Sequence, residues 1–390
     1  MIDENRIIEN LKDLSFPRLS GTEGEKKVYN IVKKKIESIG VFPNTQEFSF
    51  SIFFSRIYPK LTLALISWLL FILFLNVNSI FNLVNLIIVF ICILTFITIT
   101  RNPEKIKLGS KYHSQNLFLK LSSKNATESS DYNILLFSHL DSKGQTFSIK
   151  NRIRIYYAWA YTFPLSLLII VIYFFLLPNA YLILRILGFL IIGLNMTAAI
   201  LLWMNRTNNI SRGAIDNASG VTCLLELISY FSDHKHMPKN FDLWFVFTGA
   251  EESGTMGVRN FYKYIKNFDR DKTFTSNFDS FAHRIYLWDH GLLNNKYSNT
   301  TNFILENKNI ISIEKTKRFY IGVYSDGLFL YNKHFQGLGS GDISTNSYIH
   351  SIDDTLDKIN IQILKKLCEF YTILLKDFDN NINKIKSADL

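Results

Sequence analysis

Two long apolar blocks interrupt an otherwise mixed chain of 390 residues. The first, 58–99, is divided by Asn76-Val77-Asn78-Ser79 into two stretches, each about one bilayer thickness as a helix. The second, 156–204, is divided in the same way by Pro178-Asn179 and holds one internal charge, Arg185. Neither 165–177 nor 186–194 has a polar face at helical spacing, which argues against buried helices of a water-soluble protein. The pattern predicts two hairpins of membrane-crossing helices, four spans in all. An even number of crossings returns the chain to the side it left. Residues 1–57, 101–155 and 205–390 can then form one domain, with 58–100 and 156–204 as inserted hairpins.

Outside the blocks the periodicity changes. Val28, Ile31, Val32, Ile36 and Ile39 recur at helical spacing over 24–40, with Gly40 as a stop. Residues 45–50, 116–121 and 132–138 read as strands, the last with almost no polar interruption, as in a sheet covered on both faces. A helix over 218–231, a buried strand over 241–248 and a shorter strand over 284–288 follow. An amphipathic helix over 359–378, with Ile363, Leu364, Leu367, Phe370, Tyr371 and Leu374 on one face, closes the chain. Strands alternating with helices predict an α/β fold with a mixed, mainly parallel central sheet flanked by helices.

Composition sharpens this picture. Hydrophobic residues make up 48% and charged residues 19%, an apolar bias that fits a lipid bilayer as partner. Lys and Arg outnumber Asp and Glu by 43 to 33, but they form no aromatic-interleaved patch or reading motif, which excludes nucleic acid as the expected partner. Many flank the apolar blocks instead: Arg56, Lys60, Arg101, Lys105, Lys150, Arg152, Arg154 and Arg206. The connecting turns at 76–79 and 178–180 carry no basic residue, so the positive-inside rule puts the polar domain in the cytoplasm. The start of the chain has no basic, then apolar, signal-peptide pattern, so insertion is expected from an internal segment. Cys92, Cys223 and Cys368 are odd in number and lack CxxC spacing, which leaves neither a disulfide framework nor a cysteine zinc site.

The candidate chemistry lies after predicted strands. Ser138-His139-Leu140-Asp141 ends one, where residues two apart project to the same side; His139 could bind metal with Asp141 as its carboxylate partner, or the two could be a surface pair at a turn. In Gly213-Ala214-Ile215-Asp216-Asn217-Ala218-Ser219-Gly220, Asp216 could be a helix cap, although two flanking glycines allow a closer backbone approach than a cap needs. Thr248-Gly249-Ala250-Glu251-Glu252 sets two carboxylates side by side at a strand end, costly unless a cation offsets them. Tyr286-Leu287-Trp288-Asp289 offers another strand-end acid, and Tyr348-Ile349-His350 a late histidine. His139, Asp216, Glu252, Asp289 and His350 together are the nitrogen and carboxylate donors of a zinc site, gathered where open α/β sheets collect ligands.

In order, His-x-Asp, Gly-Ala-x-Asp-Asn-Ala-Ser-Gly, Ala-Glu-Glu-x-Gly, Asp and His-Ser-x-x-Asp-Thr-Leu-Asp resemble the co-catalytic zinc aminopeptidase and carboxypeptidase family, the twenty-eighth metallopeptidase family. Pro17-Arg18-Leu19-Ser20-Gly21-Thr22 is similar to its N-terminal turn, and Ser325-Asp326 to a motif before its last histidine, with Gly327 where that family often has histidine. The resemblance implies an exopeptidase with two zinc ions acting on peptides. His139 and Asp289 would hold one ion, Glu252 and His350 the other, and Asp216 would bridge them. Glu251 would be the general base, and Asp141 would act through His139. Two alternatives keep the fold: a single-zinc enzyme like the glutaminyl cyclases, to which His139-Leu140-Asp141-Ser142-Lys143 is also similar, and a non-catalytic receptor or scaffold.

Overall fold

The computed structural model describes residues 1–125, 132–176, 181–290, 311–315 and 325–388, with 302, 304, 306 and 307. The expected turn at Pro178-Asn179 lies outside these residues. The chain divides into two compact units, one of Met1–Phe50, Tyr112–Gly144 and Asn208–Leu390, the other of Ser51–Lys111 and Gln145–Thr207. The second unit is wider than the apolar blocks because its helices begin before the apolar runs do, the third already at Ile149.

The first unit opens with helices α1 (Glu4–Leu14) and α2 (Glu23–Glu37). The periodicity reading included α2 but not α1, a short helix capped by the Asp3 carboxylate and buried along Ile7, Leu11 and Leu14. Strands follow as β1 (Asn44–Ser51), β2 (Lys111–Leu121) and β3 (Asn133–His139), then the two-residue β4 (Gly144–Gln145) and β5 (Thr207–Asn208). After these come β6 (Asp242–Thr248), β7 (Thr273–Asp279), β8 (Ile285–His290), β9 (Ile311–Lys315) and β10 (Gln336–Gly341). Eight strands form one sheet in the order β1-β2-β6-β3-β7-β10-β8-β9. The central four, β6, β3, β7 and β10, are parallel; β2 runs against β6 on one side and β8 against β10 on the other. The sheet is mixed and mainly parallel, as the sequence pattern implies.

Both faces of the central strands are covered, which is why β3 reads as an unbroken apolar run. Leu135 and Phe137 pack on one face with Val246 of β6 and with Val258, Phe261 and Ile265 of α8 (Met256–Ile265). Ile134 and Leu136 face the other way, into a core shared by α1, α7 (Ser219–Phe231) and the closing helix Ile361–Ala388. The parallel strands bring His139, Thr248, Asp279 and Gly341 to one edge of the sheet.

In the second unit, α3 (Tyr58–Leu75), α4 (Ser79–Thr100), α5 (Ile149–Val171) and α6 (Tyr181–Met204) are mainly apolar, apart from the basic start of α5 at Lys150, Arg152 and Arg154. The segments Phe53–Leu75, Ser79–Thr100, Ile149–Phe174 and Leu182–Met204 contain 23, 22, 26 and 23 residues, long and apolar enough to cross a membrane. A buried polar knot joins three of these helices. Ser67 Oγ donates to Asn195 Oδ1 at 2.6 Å, Trp159 Nε1 donates to Ser67 Oγ at 2.9 Å, and Asn195 Nδ2 donates to Trp159 O and Thr162 Oγ1, both at 3.0 Å.

Candidate metal centre

At the carboxyl edge of the sheet, two loops and three strand ends converge. His139 ends β3 and Asp279 ends the adjacent parallel strand β7, with Asp279 Oδ1 3.6 Å from His139 Nε2. Asp216 sits in the kinked turn before α7, its Oδ1 3.1 Å from His139 Nε2 and its Oδ2 3.1 Å from His350 Nε2. Glu252 follows β6 and places Oε1 2.7 Å from the same His350 nitrogen. Among the described residues, two groups could therefore hold a metal ion: His139, Asp216 and Asp279, and Asp216, Glu252 and His350. Asp216 belongs to both, with one oxygen turned to each.

The turn that carries Asp216 is built for close approach. Gly213 has a left-handed φ of +60°, and a Cβ there would fall 2.5 Å from Ser142 Cβ and 2.6 Å from Asp216 O. A Cβ on Gly220 would meet Asn217 Oδ1 at 2.4 Å and Phe278 O at 2.6 Å. What the two glycines admit is thus the protein's own strand ends. Asn217 Nδ2 donates to Ser138 Oγ at 3.1 Å and Phe278 O at 2.7 Å, tying this turn to β3 and β7. From beneath, the buried Arg18 guanidinium donates to Leu140 O, Phe16 O, Arg212 O and Gly213 O, while Asp354 accepts from Ile215 N at 2.6 Å and Ser211 Oγ at 3.2 Å.

Asp141 turns away from the ligand cluster. His139 Nδ1 lies 3.1 Å from Asp141 O and 3.5 Å from its Oδ1, which leaves Nε2 for the cluster. The carboxylate accepts from Glu251 N on Oδ1 and Glu252 N on Oδ2, both at 3.0 Å, and from Ser20 Oγ at 2.5 Å. Glu251 lies outside both ligand groups, and its Oε1 is buried without a hydrogen-bond partner.

Asp289 is not in the cluster. It lies near the end of β8, but β8 runs against the central strands, so its carboxyl end faces the opposite edge. The register sets Asp289 beside Leu338, which pairs with Ser276, three residues or about 10 Å below Asp279. Among the described residues, Asp279 rather than Asp289 lies with His139 and Asp216. Strand direction decides this, and it is not written in a strand-end acid taken alone. Lys143, Asp326 and Asp354 were also not assigned roles from the sequence. Lys143 Nζ donates to Glu252 Oε2 at 2.5 Å, and Asp326, buried at the start of the short helix Asp326–Tyr331, accepts from Thr248 Oγ1.

Electrostatics agree with a cation-demanding site. Burial alone would lower the pKa of His139, but Asp141, Asp216 and Asp279 outweigh it and raise it well above the ordinary value. Burial would raise Asp216, yet His139 and His350 pull it below the usual carboxylate range. Glu252 is likewise raised by burial but brought down to about 2 by His350 and Lys143. Glu251 behaves oppositely: burial, followed by the nearby Glu252, Asp326 and Asp279, raises it well above the usual range despite His139. Asp326 is pushed up to about 7, chiefly by burial.

The donor set fits zinc. Imidazole nitrogen and carboxylate oxygen are its ordinary ligands, and donors about 2.0–2.1 Å from a tetrahedral ion lie about 3.3 Å from one another. The histidine-to-carboxylate distances within the two groups run from 2.7 to 3.6 Å, and all the ligand atoms of each group lie within 4.8 Å of one another. Asp216 Oδ1 and Glu252 Oε1 are buried and face only the imidazole nitrogens of His139 and His350, a pairing that suits atoms shared by a metal.

Residues 196–372 match the sequence profile of peptidase family M28. Among solved structures, the fold is similar to the aminopeptidase from Aneurinibacillus sp. strain AM-1, at 12% identity over 96% of this chain and 93% of that one, with a TM-score of 0.56. It is similar to BSAP, a zinc aminopeptidase from Bacillus subtilis, at 11% identity over 96% and 94%, TM-score 0.55. A glutaminyl cyclase from Fimbriiglobus ruber gives 15% identity over 96% and 95%, TM-score 0.53. No curated protein matches the sequence. At these identities the structural likeness is one of fold.

Proposed function

We propose that this protein is a membrane-embedded zinc exopeptidase, an aminopeptidase, that holds two zinc ions. The observation that carries the reading is Asp216, one carboxylate turned with separate oxygens toward two ligand groups. His139 and Asp279 would complete one site, Glu252 and His350 the other. Bound there, zinc would acidify a coordinated water and polarise the scissile carbonyl. The sharing of Asp216 favours two ions over the single ion of a cyclase-like reading.

Glu251 is the proton carrier in this proposal. Its Oε1 has no hydrogen-bond partner, and its raised pKa suits a carboxylate that accepts a proton and passes it to the leaving amine. Asp141 holds the Glu251 and Glu252 amides and the far side of His139. Asp141, Asp216, Glu251, Glu252, Asp279 and Asp326 gather around the site with Lys143 as the cation in contact with them among the described residues. The aminopeptidase reading is supported by the likeness of the fold to aminopeptidases. The basic flanks of the spans support a cytoplasmic active site.

The test uses detergent-purified full-length protein on peptides that are free, N-terminally blocked or C-terminally blocked. Release of N-terminal residues, abolished by a chelator, restored by zinc and lost on N-terminal blocking, is the expected result. Loss on C-terminal blocking instead would mark a carboxypeptidase. Absence of hydrolysis with zinc bound would reject the peptidase reading.

A further inference from the structure

Glu25 lies on α2, more than a hundred residues from any ligand candidate, and is 4% exposed. Both its oxygens are engaged. Oε2 accepts from Gly21 N at 2.6 Å, and Oε1 accepts from Ser114 Oγ and Ala250 N, each at 2.8 Å. Asp141 receives the next two amides in line, Glu251 N and Glu252 N. Three consecutive N–H groups, 250–252, thus point at two buried carboxylates supplied by distant parts of the chain.

This turn needs holding. Ala250 has a left-handed φ of +51°, which disfavours any residue with a Cβ. Its neighbour Gly249 has no room for a side chain, since a Cβ there would lie 2.1 Å from Ser114 Oγ and 3.1 Å from Glu25 Oε1. The turn also has to send two adjacent carboxylates to different tasks, Glu252 toward His350 and Glu251 into its own buried position. Rotation about the 250–251 backbone would carry both side chains off together.

We propose that Glu25 is a positioning residue: by accepting the Ala250 amide it fixes the turn that presents Glu251 and Glu252 in their separate orientations. The roles it serves rest on the zinc-peptidase reading above; the contacts themselves do not. Ser114 is the partner that orients the working oxygen of Glu25.

Three variants of the full-length protein test this. Glu25→Leu keeps the volume and removes the acceptors. Glu25→Gln keeps an oxygen for Ala250 and Ser114 but turns its amide group toward the Gly21 N–H. Ser114→Ala leaves Glu25 in place and unanchored. Loss of a group that orients metal ligands costs about 10–100-fold in affinity or activity. Glu25→Leu should therefore lower kcat by about that factor with KM within about twofold, and weaken one of two zinc sites in competition with a chromogenic chelator. Glu25→Gln should recover most of both losses. Wild-type kcat and zinc affinity per folded Glu25→Leu molecule, whatever its melting temperature, would overturn the proposal. If Glu25→Leu does not fold, Ser114→Ala decides: a fall in kcat at unchanged KM supports the clamp, and wild-type values refute it. Hydrogen exchange separates this from the function reading. Amides 250–252 should exchange faster in Glu25→Leu or Ser114→Ala even if the wild type cleaves no peptide, and unchanged exchange would refute the clamp alone.

Discussion

Asp279 and His139 end two adjacent parallel strands, and their reactive atoms, Oδ1 and Nε2, stand 3.6 Å apart at the carboxyl edge of the sheet. Such a pair depends on strand direction, because only parallel neighbours deliver their last residues to the same edge. Zinc content should follow this geometry. Asp279→Ala is expected to lose one ion of two, Asp216→Ala to lose both, and Asp289→Ala to keep full occupancy. Metal analysis after gel filtration measures all three, and an Asp289→Ala protein that lost zinc while Asp279→Ala kept it would overturn the assignment.

Glu251 offers a cleaner separation of chemistry from binding, since it lies in neither ligand group. Replacing it by Gln removes the proton acceptor and keeps the shape. General acid–base groups contribute about 10²–10⁴ in rate. Glu251→Gln should lower kcat by about that factor with both ions retained and KM little changed. Retention of more than about a tenth of the wild-type kcat would assign the base to another group.

How far the sequence reaches can be seen in individual residues. His139, Asp216, Glu252 and His350 were legible because each sits in a local string with its own chemical logic, and the structure brings all four together. Asp279 was hidden by topology: the sequence reading included a strand over 284–288 but not Thr273–Asp279, and the opposite directions of the two strands emerge only from pairing. Arg18, Glu25 and Asp354 were hidden differently. Each acts through backbone amides or carbonyls far along the chain, and no spacing records such contacts. Helix α1 was missed because its apolar residues are few and its burial depends on α7 and the closing helix. Glu226, buried on α7, accepts from Arg6 Nη2 at 2.6 Å and Asp3 N at 2.7 Å, which fastens that segment.

Removal of metal should weaken the fold as well as stop turnover. Without cations, the buried carboxylates of Asp216, Glu252 and Asp279 lie close together around His139 and His350 with Lys143 on Glu252, a cluster that bound metal would neutralise. Binding confined to the native state adds about 2.7 kcal/mol at a free concentration 100 times Kd. Thermal unfolding in detergent should shift upward by several degrees on adding zinc to stripped protein, and Asp216→Ala should abolish the shift. An equal shift in both proteins would place the stabilising ion elsewhere.

The polar knot of Ser67, Trp159, Thr162 and Asn195 predicts how the spans hold together. Asn195 makes the most of its contacts, donating to Trp159 O and Thr162 Oγ1 and accepting from Ser67 Oγ. Interhelical hydrogen bonds in bilayers are worth about 0.6–2 kcal/mol. Asn195→Leu should destabilise the helical unit by about 1–2 kcal/mol, because Ser67 and Thr162 lose partners inside it. Ser67→Ala should cost less. Unfolding in mixed micelles measures both, and a more stable Asn195→Leu protein would assign the knot a role other than stability.

The proposed cytoplasmic side of the polar unit rests on charge alone. Arg56, Lys60, Arg101, Lys105, Arg152, Arg154 and Arg206 all flank the spans at the ends continuous with the polar segments, whereas 76–79 and 178–180 contain no Lys or Arg. Basic residues within about 15–20 residues of membrane spans are favoured on the cytoplasmic side, so the proposed topology has the turns outside and the candidate zinc site inside. Val77 in the first turn is 62% exposed and offers a labelling position. In a variant with Cys92, Cys223 and Cys368 replaced, a cysteine at position 77 should react with a membrane-impermeant thiol reagent in intact cells. A cysteine in place of Ser387, near the end of the chain, should react only after the cells are opened. The opposite pattern would place the catalytic unit outside the cytoplasm and leave the zinc chemistry untouched, because the ligand geometry depends on the sheet and not on the membrane.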